Sequence, residues 1–391
     1  MKEISSEDHH GSHRGLLGKP DEPSAGRVQV EAGGARVDAI IVPTVRHPRF
    51  LMDAAGTAAS MDCPLVTLHS TKWTSAREAA RLLPAQVSLI AIDMPGRADL
   101  RLPESDSARL LTGTRFDRMK DTSTKRNLAL MLCHMVGWER IVFLDDDIRI
   151  RDPDQLTHAS GLLGAYNAVG LTIGGYPDNS VVCHAYRIVG GKQESFVGGG
   201  ALVVGTTRSR SFFPDIYNED WFYLLDARKG LQPLAASGEA VQRPYDPFRT
   251  PDRARAEELG DVLAEGTFWL LDQGCSVADA DEAHWAAFLQ RRSRFIMDVL
   301  GMVERSAIES AEKARMVAAL KAARGRLACI TPILCLDYMR AWTADWYRWQ
   351  DHFDSLGTDM PLDSALNSLT RQNRPSLAWR ARILQECVSV R

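Results

Sequence analysis

The sequence predicts an α/β protein built on a mainly parallel sheet, and three observations predict it. Short apolar runs alternate with helix-patterned segments from Val37 to about Leu144. The runs are apolar throughout instead of alternating, as strands covered on both faces require. Polar, chemistry-bearing residues gather where those runs end, and in open α/β sheets ligands collect at the carboxyl ends of strands.

Taken in order, "VDAIIVPT" (Val37 to Thr44) reads as a first buried strand. "RFLMDAAGTAAS" has helical character, and "CPLVTLHS" (Cys63 to Ser70) is a second strand. "SAREAARLL" (Ser75 to Leu83) opens with a serine and carries Glu78 three residues on, a capping-box signature for a helix. "VSLIAIDMPG" (Val87 to Gly96) is a third strand, and "TSTKRNLALMLCHMVG" (Thr122 to Gly137) a helix with a glycine stop. "SVVCHAYRIV" and "SFVGGGALVVGTT" read as two more strands, and "NEDWFYLLDAR" (Asn218 to Arg228) as a helix. From about Asp252 the pattern is helical to the end. The expected division is a disordered N-terminal segment over 1–35, an α/β domain over 36–250 and a helical C-terminal region over 251–391.

Composition bounds the function. The 391 residues carry a formal net charge of -3, with 45% hydrophobic and 25% charged residues, the make-up of an ordinary globular protein. Near-neutral charge gives no sign of a nucleic-acid partner. No apolar run nears the roughly 20 residues that span a bilayer, and the N-terminal stretch has no apolar signal core. The seven cysteines, Cys63, Cys133, Cys183, Cys275, Cys329, Cys335 and Cys387, include no CxxC pair. They read as reduced, mostly buried thiols of a cytoplasmic protein. His9, His10 and His13 read as part of a solvated tail.

The densest chemistry is "IVFLDDDI" (Ile141 to Ile148), four apolar residues followed by Asp145, Asp146 and Asp147. Adjacent carboxylates at the tip of a buried strand repel one another and resist leaving water. A hard divalent cation, Mg²⁺ or Mn²⁺, is the expected compensation, with Asp145 and Asp147 as its ligands and a substrate pyrophosphate completing its shell.

Four segments in this order resemble the GT-A glycosyltransferases, especially the family 2-like enzymes. They are "VPTVR" (Val42 to Arg46) ending the first strand, "KRNLAL" (Lys125 to Leu130), "FLDDDI", and "GGGALVVG" followed by "FFPDIYNEDWFYLL" (Phe212 to Leu225). The resemblance covers roughly residues 37–246. It implies a Rossmann-like GT-A domain with a helical C-terminal extension, and a metal-dependent transfer of a sugar from a nucleoside-diphosphate sugar to a soluble small-molecule acceptor, with inversion. It implies that Thr44, Val45 and Arg46 line the nucleotide pocket, with Asp93 near the base or ribose. Lys125 and Arg126 would meet the diphosphate or sugar, and Asp145 and Asp146 the nucleotide sugar. Asp145 and Asp147 would hold the metal. Glu219 and Asp220 would face the acceptor, Asp220 as the base.

Each residue has a plainer reading. Lys125 and Arg126 fit a solvated helix start. Asp93 fits a turn cap. Glu219 and Asp220 fit first-turn acids favoured by the helix dipole. The chain also departs from the resemblance. "LHSTKWTS" (Leu68 to Ser75) has no acid where many relatives read the base. No late histidine matches a third metal ligand; Asp246 is the substitute, and His284 reads as a helix-face residue. The aromatic run in "DYMRAWTADWYRWQDHF" (Asp337 to Phe353) has helical spacing, which means core or a homodimer seam. A sugar-phosphate nucleotidyltransferase is the nearest rival, but "VPTVRHPRF" lacks its glycine-rich signature. A non-catalytic nucleotide-binding module is the other. The triple Gly198-Gly199-Gly200 is not a dinucleotide fingerprint, and no P-loop motif occurs.

Overall fold

A computed structural model describes residues 13–18, 20, 35–70, 72–118, 120–192, 197–371 and 379–382. His9, His10 and Cys387 lie outside the described residues, as does most of the segment expected to be disordered. The part of that segment that is described packs on the body: His13 pairs with Asp272 and its ring meets Trp221 and Phe268.

The four expected opening strands are β1 (Ala39–Thr44), β2 (Leu65–His69), β3 (Leu89–Asp93) and β4 (Arg140–Leu144). Between them lie helices α1 (Met52–Ser60), α2 (Ala76–Leu82), α3 (Asp106–Leu111) and α4 (Thr122–Val136). Ser75 caps α2 by accepting from the Glu78 amide. Gly137 ends α4 at φ 79°, a left-handed backbone that glycine adopts without strain.

The chain continues through β5 (Ile148–Arg149), α5 (Asp154–Gly161), β6 (Ala168–Gly174), α6 (Val181–Ile188), β7 (Ala201–Gly205) and α7 (Glu219–Tyr223). The small strands β8 (Leu225–Asp226) and β9 (Gly230–Leu231) precede β10 (Leu234–Gln242). Then come α8 (Pro251–Asp272), α9 (Glu282–Arg305), α10 (Ser310–Leu327), α11 (Pro332–Ser355), α12 (Leu362–Ser368) and β11 (Trp379–Arg382).

The main sheet runs β11-β3-β2-β1-β4-β7-β6-β10-β5. β3, β2, β1 and β4 are mutually parallel, as are β6 and β10, while β7 runs antiparallel between the two blocks. β5 and β11 are antiparallel edges. The α/β class with a mainly parallel sheet and C-terminal helices is therefore the one expected from the sequence.

Two apolar layers cover the sheet. Ile41, Val66, Leu68, Ile90 and Ile92 face a layer with α4 and the C-terminal helices, and Ile40, Val42, Leu65 and Leu89 face one with α1, α2 and α5. Burial on both faces explains why these strands read as unbroken apolar runs.

Two elements differ from expectation. "SVVCHAYRIV" is the helix α6, not a strand. The Glu257 carboxylate accepts the Val181 amide, so a negative group sits at the helix N-terminus, and this tertiary contact outweighs β-branched propensity. The helix expected over Asn218 to Arg228 stops at Tyr223. There Asp226 collects the Arg228 and Lys229 amides on one carboxylate oxygen, closing a turn that starts β9. The aromatic stripe on α11 is core: Tyr338, Trp342, Trp346, Trp349 and Phe353 are all buried.

Candidate active site

β4 delivers the three acids to the carboxyl edge of the sheet. Backbone bonds pin their turn: the Asp145 amide donates to the Gly200 carbonyl at 3.0 Å, and the Arg243 amide donates to the Asp147 carbonyl at 2.9 Å. Each acid has a partner. Thr44 donates its hydroxyl to Asp146 at 2.6 Å, and Arg46 reaches Asp146 at 2.7 Å and Asp147 at 3.0 Å. Arg126 donates to Asp145 at 2.7 Å. Burial pushes the carboxyls of Asp146 and Asp147 up, with Arg46 opposing. Burial also works against the charge of Arg46, but the acids outweigh it and raise its pKa.

β1 and α4 supply the cations. Lys125 is buried at the start of α4 and donates to the Thr44 carbonyl at 2.8 Å and to the Ser70 hydroxyl at 2.5 Å. Asp121 stands 2.9 Å from the same ammonium. Burial lowers the Lys125 pKa, with Asp121 opposing. Arg126 is equally buried and bridges two acids, Asp145 and Glu219, the latter at 3.2 Å. Its Nε is buried without a hydrogen-bond partner. Arg118 also holds Glu219, at 3.1 Å. A solvated helix face does not describe Lys125 or Arg126.

β7 and α7 complete the cluster. Asp220 accepts the Gly199 amide at 2.6 Å. A Cβ on Gly199 would lie 2.6 Å from the Arg126 guanidinium and 2.9 Å from the Asp220 Cβ, and one on Gly200 would lie 3.2 Å from an Asp145 oxygen. Only glycines let this backbone pass between Arg126, Asp145 and Asp220. Burial raises the Asp220 pKa, and the neighbouring Glu219 adds to it. Asp145, Arg126, Glu219, Asp220 and the glycines thus form one connected set.

The remaining expected residues divide. Val45 is exposed beside Thr44. Asp93 ends the neighbouring β3, and its carboxylate accepts the Ala76 amide at 2.7 Å, the position of a helix cap. Asp246 accepts the Phe248 amide and lies 3.8 Å from Arg315; among the described residues no hydrogen bond or ion pair joins it to the acid turn. His284 packs on Trp269 and bonds the Gly266 carbonyl, as a helix-face residue does.

Sequence reading missed Arg118, Asp121 and Asn218. The signal for the first two was a run of charge in "RMKDTSTKR", which leads into the first turn of α4. His69 is the buried end of β2, held between the hydroxyls of Thr67 and Thr74. Burial, then Lys125, lowers its pKa to about 3.

Among the described residues no three His, Cys, Asp or Glu side chains are grouped to hold a metal ion. Asp145 and Asp147 are nevertheless oxygen donors of the kind Mg²⁺ or Mn²⁺ accepts, two carboxylates with water and phosphate oxygens filling the shell. The unpartnered Arg126 Nε beside them suits an anionic ligand oxygen. The donor chemistry fits a cation, with Arg46 as the group that must give way on Asp147. Among the described residues no helix is long and apolar enough to cross a membrane.

No protein-family model matches the sequence, and no curated protein matches it. Among solved structures, the mannosyltransferase PcManGT from Pyrobaculum calidifontis in complex with GDP-Man and Mn2+ aligns with a TM-score of 0.41 and 14% identity. The alignment covers 84% of this chain and 89% of that chain.

Proposed function

We propose that the protein is a GT-A glycosyltransferase of the cytoplasm that moves a sugar from a nucleoside diphosphate to a soluble small-molecule acceptor, with inversion. The observation that carries this reading is the connected set at the carboxyl edge of the sheet. Arg126 links the acid turn (Asp145) to the acid helix (Glu219), and the Gly199 amide holds Asp220 beside them.

Each part has a task in that reaction. Thr44, Val45 and Arg46 line one side of the donor pocket, with the carboxylate of Asp146 fixed between Thr44 and Arg46. Asp145 and Asp147 hold Mg²⁺ or Mn²⁺, which when bound neutralises charge on the donor phosphates. Lys125 and Arg126, fixed by burial and by neighbouring oxygens, add positive charge that needs no reorganisation as the diphosphate departs. Arg126 Nε is the donor left over for a phosphate or sugar oxygen. Asp220 takes the proton of the acceptor hydroxyl; burial, then Glu219, raises its pKa above that of an ordinary carboxylate and so strengthens it as a base. Glu219 is neutralised by Arg118 and Arg126, so its part is to orient Arg126.

The test is calorimetry with Mn²⁺ and UDP-, GDP- and TDP-sugars on the wild type and Asp147→Ala. One donor binds in a metal-dependent way, and the variant loses at least about tenfold in affinity, the equivalent of ~1.4 kcal/mol. If no nucleotide sugar binds with metal present, the reading fails and the nucleotidyltransferase alternative takes its place.

A further inference from the structure

The C-terminal helices carry a buried charge cluster that the proposed reaction does not use. Arg292 on α9 is fully buried and donates to three carboxylates of α8. It reaches Glu258 at 2.9 and 3.1 Å, Asp261 at 2.8 Å, and Glu265 at 2.9 and 2.8 Å. Removing charged groups from water is costly, and apolar side chains of similar volume often serve stability as well or better. The cluster therefore calls for a reason other than stability.

Asp261 supplies one. One of its oxygens accepts from Arg292 and from the Ser180 hydroxyl at 2.7 Å. Its other oxygen accepts the Asn218 side-chain amide at 3.0 Å. Asn218 is the residue before Glu219 and Asp220. It sits in the left-handed region at φ 62°, and its carbonyl starts α7 by accepting the Trp221 amide. An L-residue holds this conformation at a cost that its surroundings must outweigh. α8 also comes close just here, because a Cβ on Gly260 would fall 2.2 Å from the Tyr217 carbonyl oxygen. One helix turn thus touches the backbone at Tyr217 and the side chain at Asn218.

We propose that Asp261, held by Arg292, is a positioning residue that tethers Asn218 and so aims Glu219 and Asp220 at the acceptor. The C-terminal helices are then a working part of the active site. The positioning role rests on the glycosyltransferase reading; the tether itself does not.

A charge-swap series tests it. Asn218→Asp sets a second carboxylate against Asp261 and breaks the bond, while aspartate still tolerates the left-handed backbone. Adding Asp261→Asn lets the new side-chain amide donate to the residue-218 carboxylate and keeps an oxygen for Arg292. Asn218→Gly removes the tether without backbone strain and guards against misfolding of the charged variant. Hydrogen exchange is the first readout. Protection of the amides from Trp221 to Leu224 should fall in Asn218→Asp and Asn218→Gly, return in the double variant, and stay unchanged in α8 and α9. Unchanged protection in both single variants overturns the tether.

Hydrolysis of the bound nucleotide sugar is the second readout. Its kcat should fall in Asn218→Asp, on the order of 10²-fold for a misplaced group, at constant donor KM, and recover in the swap. Loss of thermal stability with kcat unchanged overturns the positioning role. If the wild type binds no nucleotide sugar, the glycosyltransferase reading fails and the positioning role with it, and hydrogen exchange still decides the tether.

Discussion

At the scale of single residues, two arginines pair with the three carboxylates of the acid turn. Arg46 stands on two of the three carboxylates with its own side chain about one-third exposed, so it is the contact most readily exchanged. Arg46→Gln should tighten Mn²⁺ binding in the absence of nucleotide, since a competing charge is gone, and weaken binding of the nucleoside diphosphate. Titration calorimetry with each ligand alone reads both effects. Asp220 gives a prediction with a sign. Burial raises its pKa, so it becomes protonated at a higher pH than an ordinary carboxylate, and a protonated acid cannot take a proton. Activity should therefore fall, as pH is lowered, through a limb above the usual carboxylate range. Asp220→Asn should lose about 10²–10⁴-fold in kcat and that limb with it, checked by the pH profile of turnover.

At the scale of elements, what was legible followed from local pattern. β1 to β4 were readable because strands buried on both faces leave unbroken apolar runs. α2 and α4 were readable from Ser75 and Gly137. The acids of the candidate site could be picked out because charge at the end of such a run is conspicuous. What escaped depends on distant partners. α6 is a helix because Glu257, 76 residues away, meets its first amide. α7 is short because Asp226 folds the chain back after it. Asn218 was invisible because its role exists only through Asp261, and the run of charge that marks Arg118 does not reveal its partner Glu219. α11 shows the same dependence from the other side. Trp342 and Tyr338 both meet Phe222 edge-on, so the aromatic stripe backs the acid helix. Trp342→Ala should cost about 3–5 kcal/mol in unfolding free energy, measured by urea denaturation. The loss should also loosen α7.

At the scale of the whole molecule, the helical region and the sheet share one interior. Phe143 of β4, Phe213, Phe222, Phe268 of α8, Phe295 of α9 and Trp342 of α11 belong to the same buried cluster. A chain ending at Thr250 would expose that surface and lose the partner of Asn218. It should fail to unfold cooperatively and should bind a hydrophobic dye, whereas the full chain should show one sharp transition and little dye binding.

The arginine-paired acid turn also bears on how the site would change hands between ligands. Arg46 and Arg126 between them pair with all three carboxylates, two positive charges against three negative ones, so the turn is held together by the protein's own groups. Under the glycosyltransferase reading, Asp145 and Asp147 would hold a metal ion only while a donor is bound, and Arg46, released from Asp147, would then be free to meet the donor phosphates. Once the site empties, Arg46 would return to Asp146 and Asp147, so one guanidinium would serve the acids and the phosphates in turn.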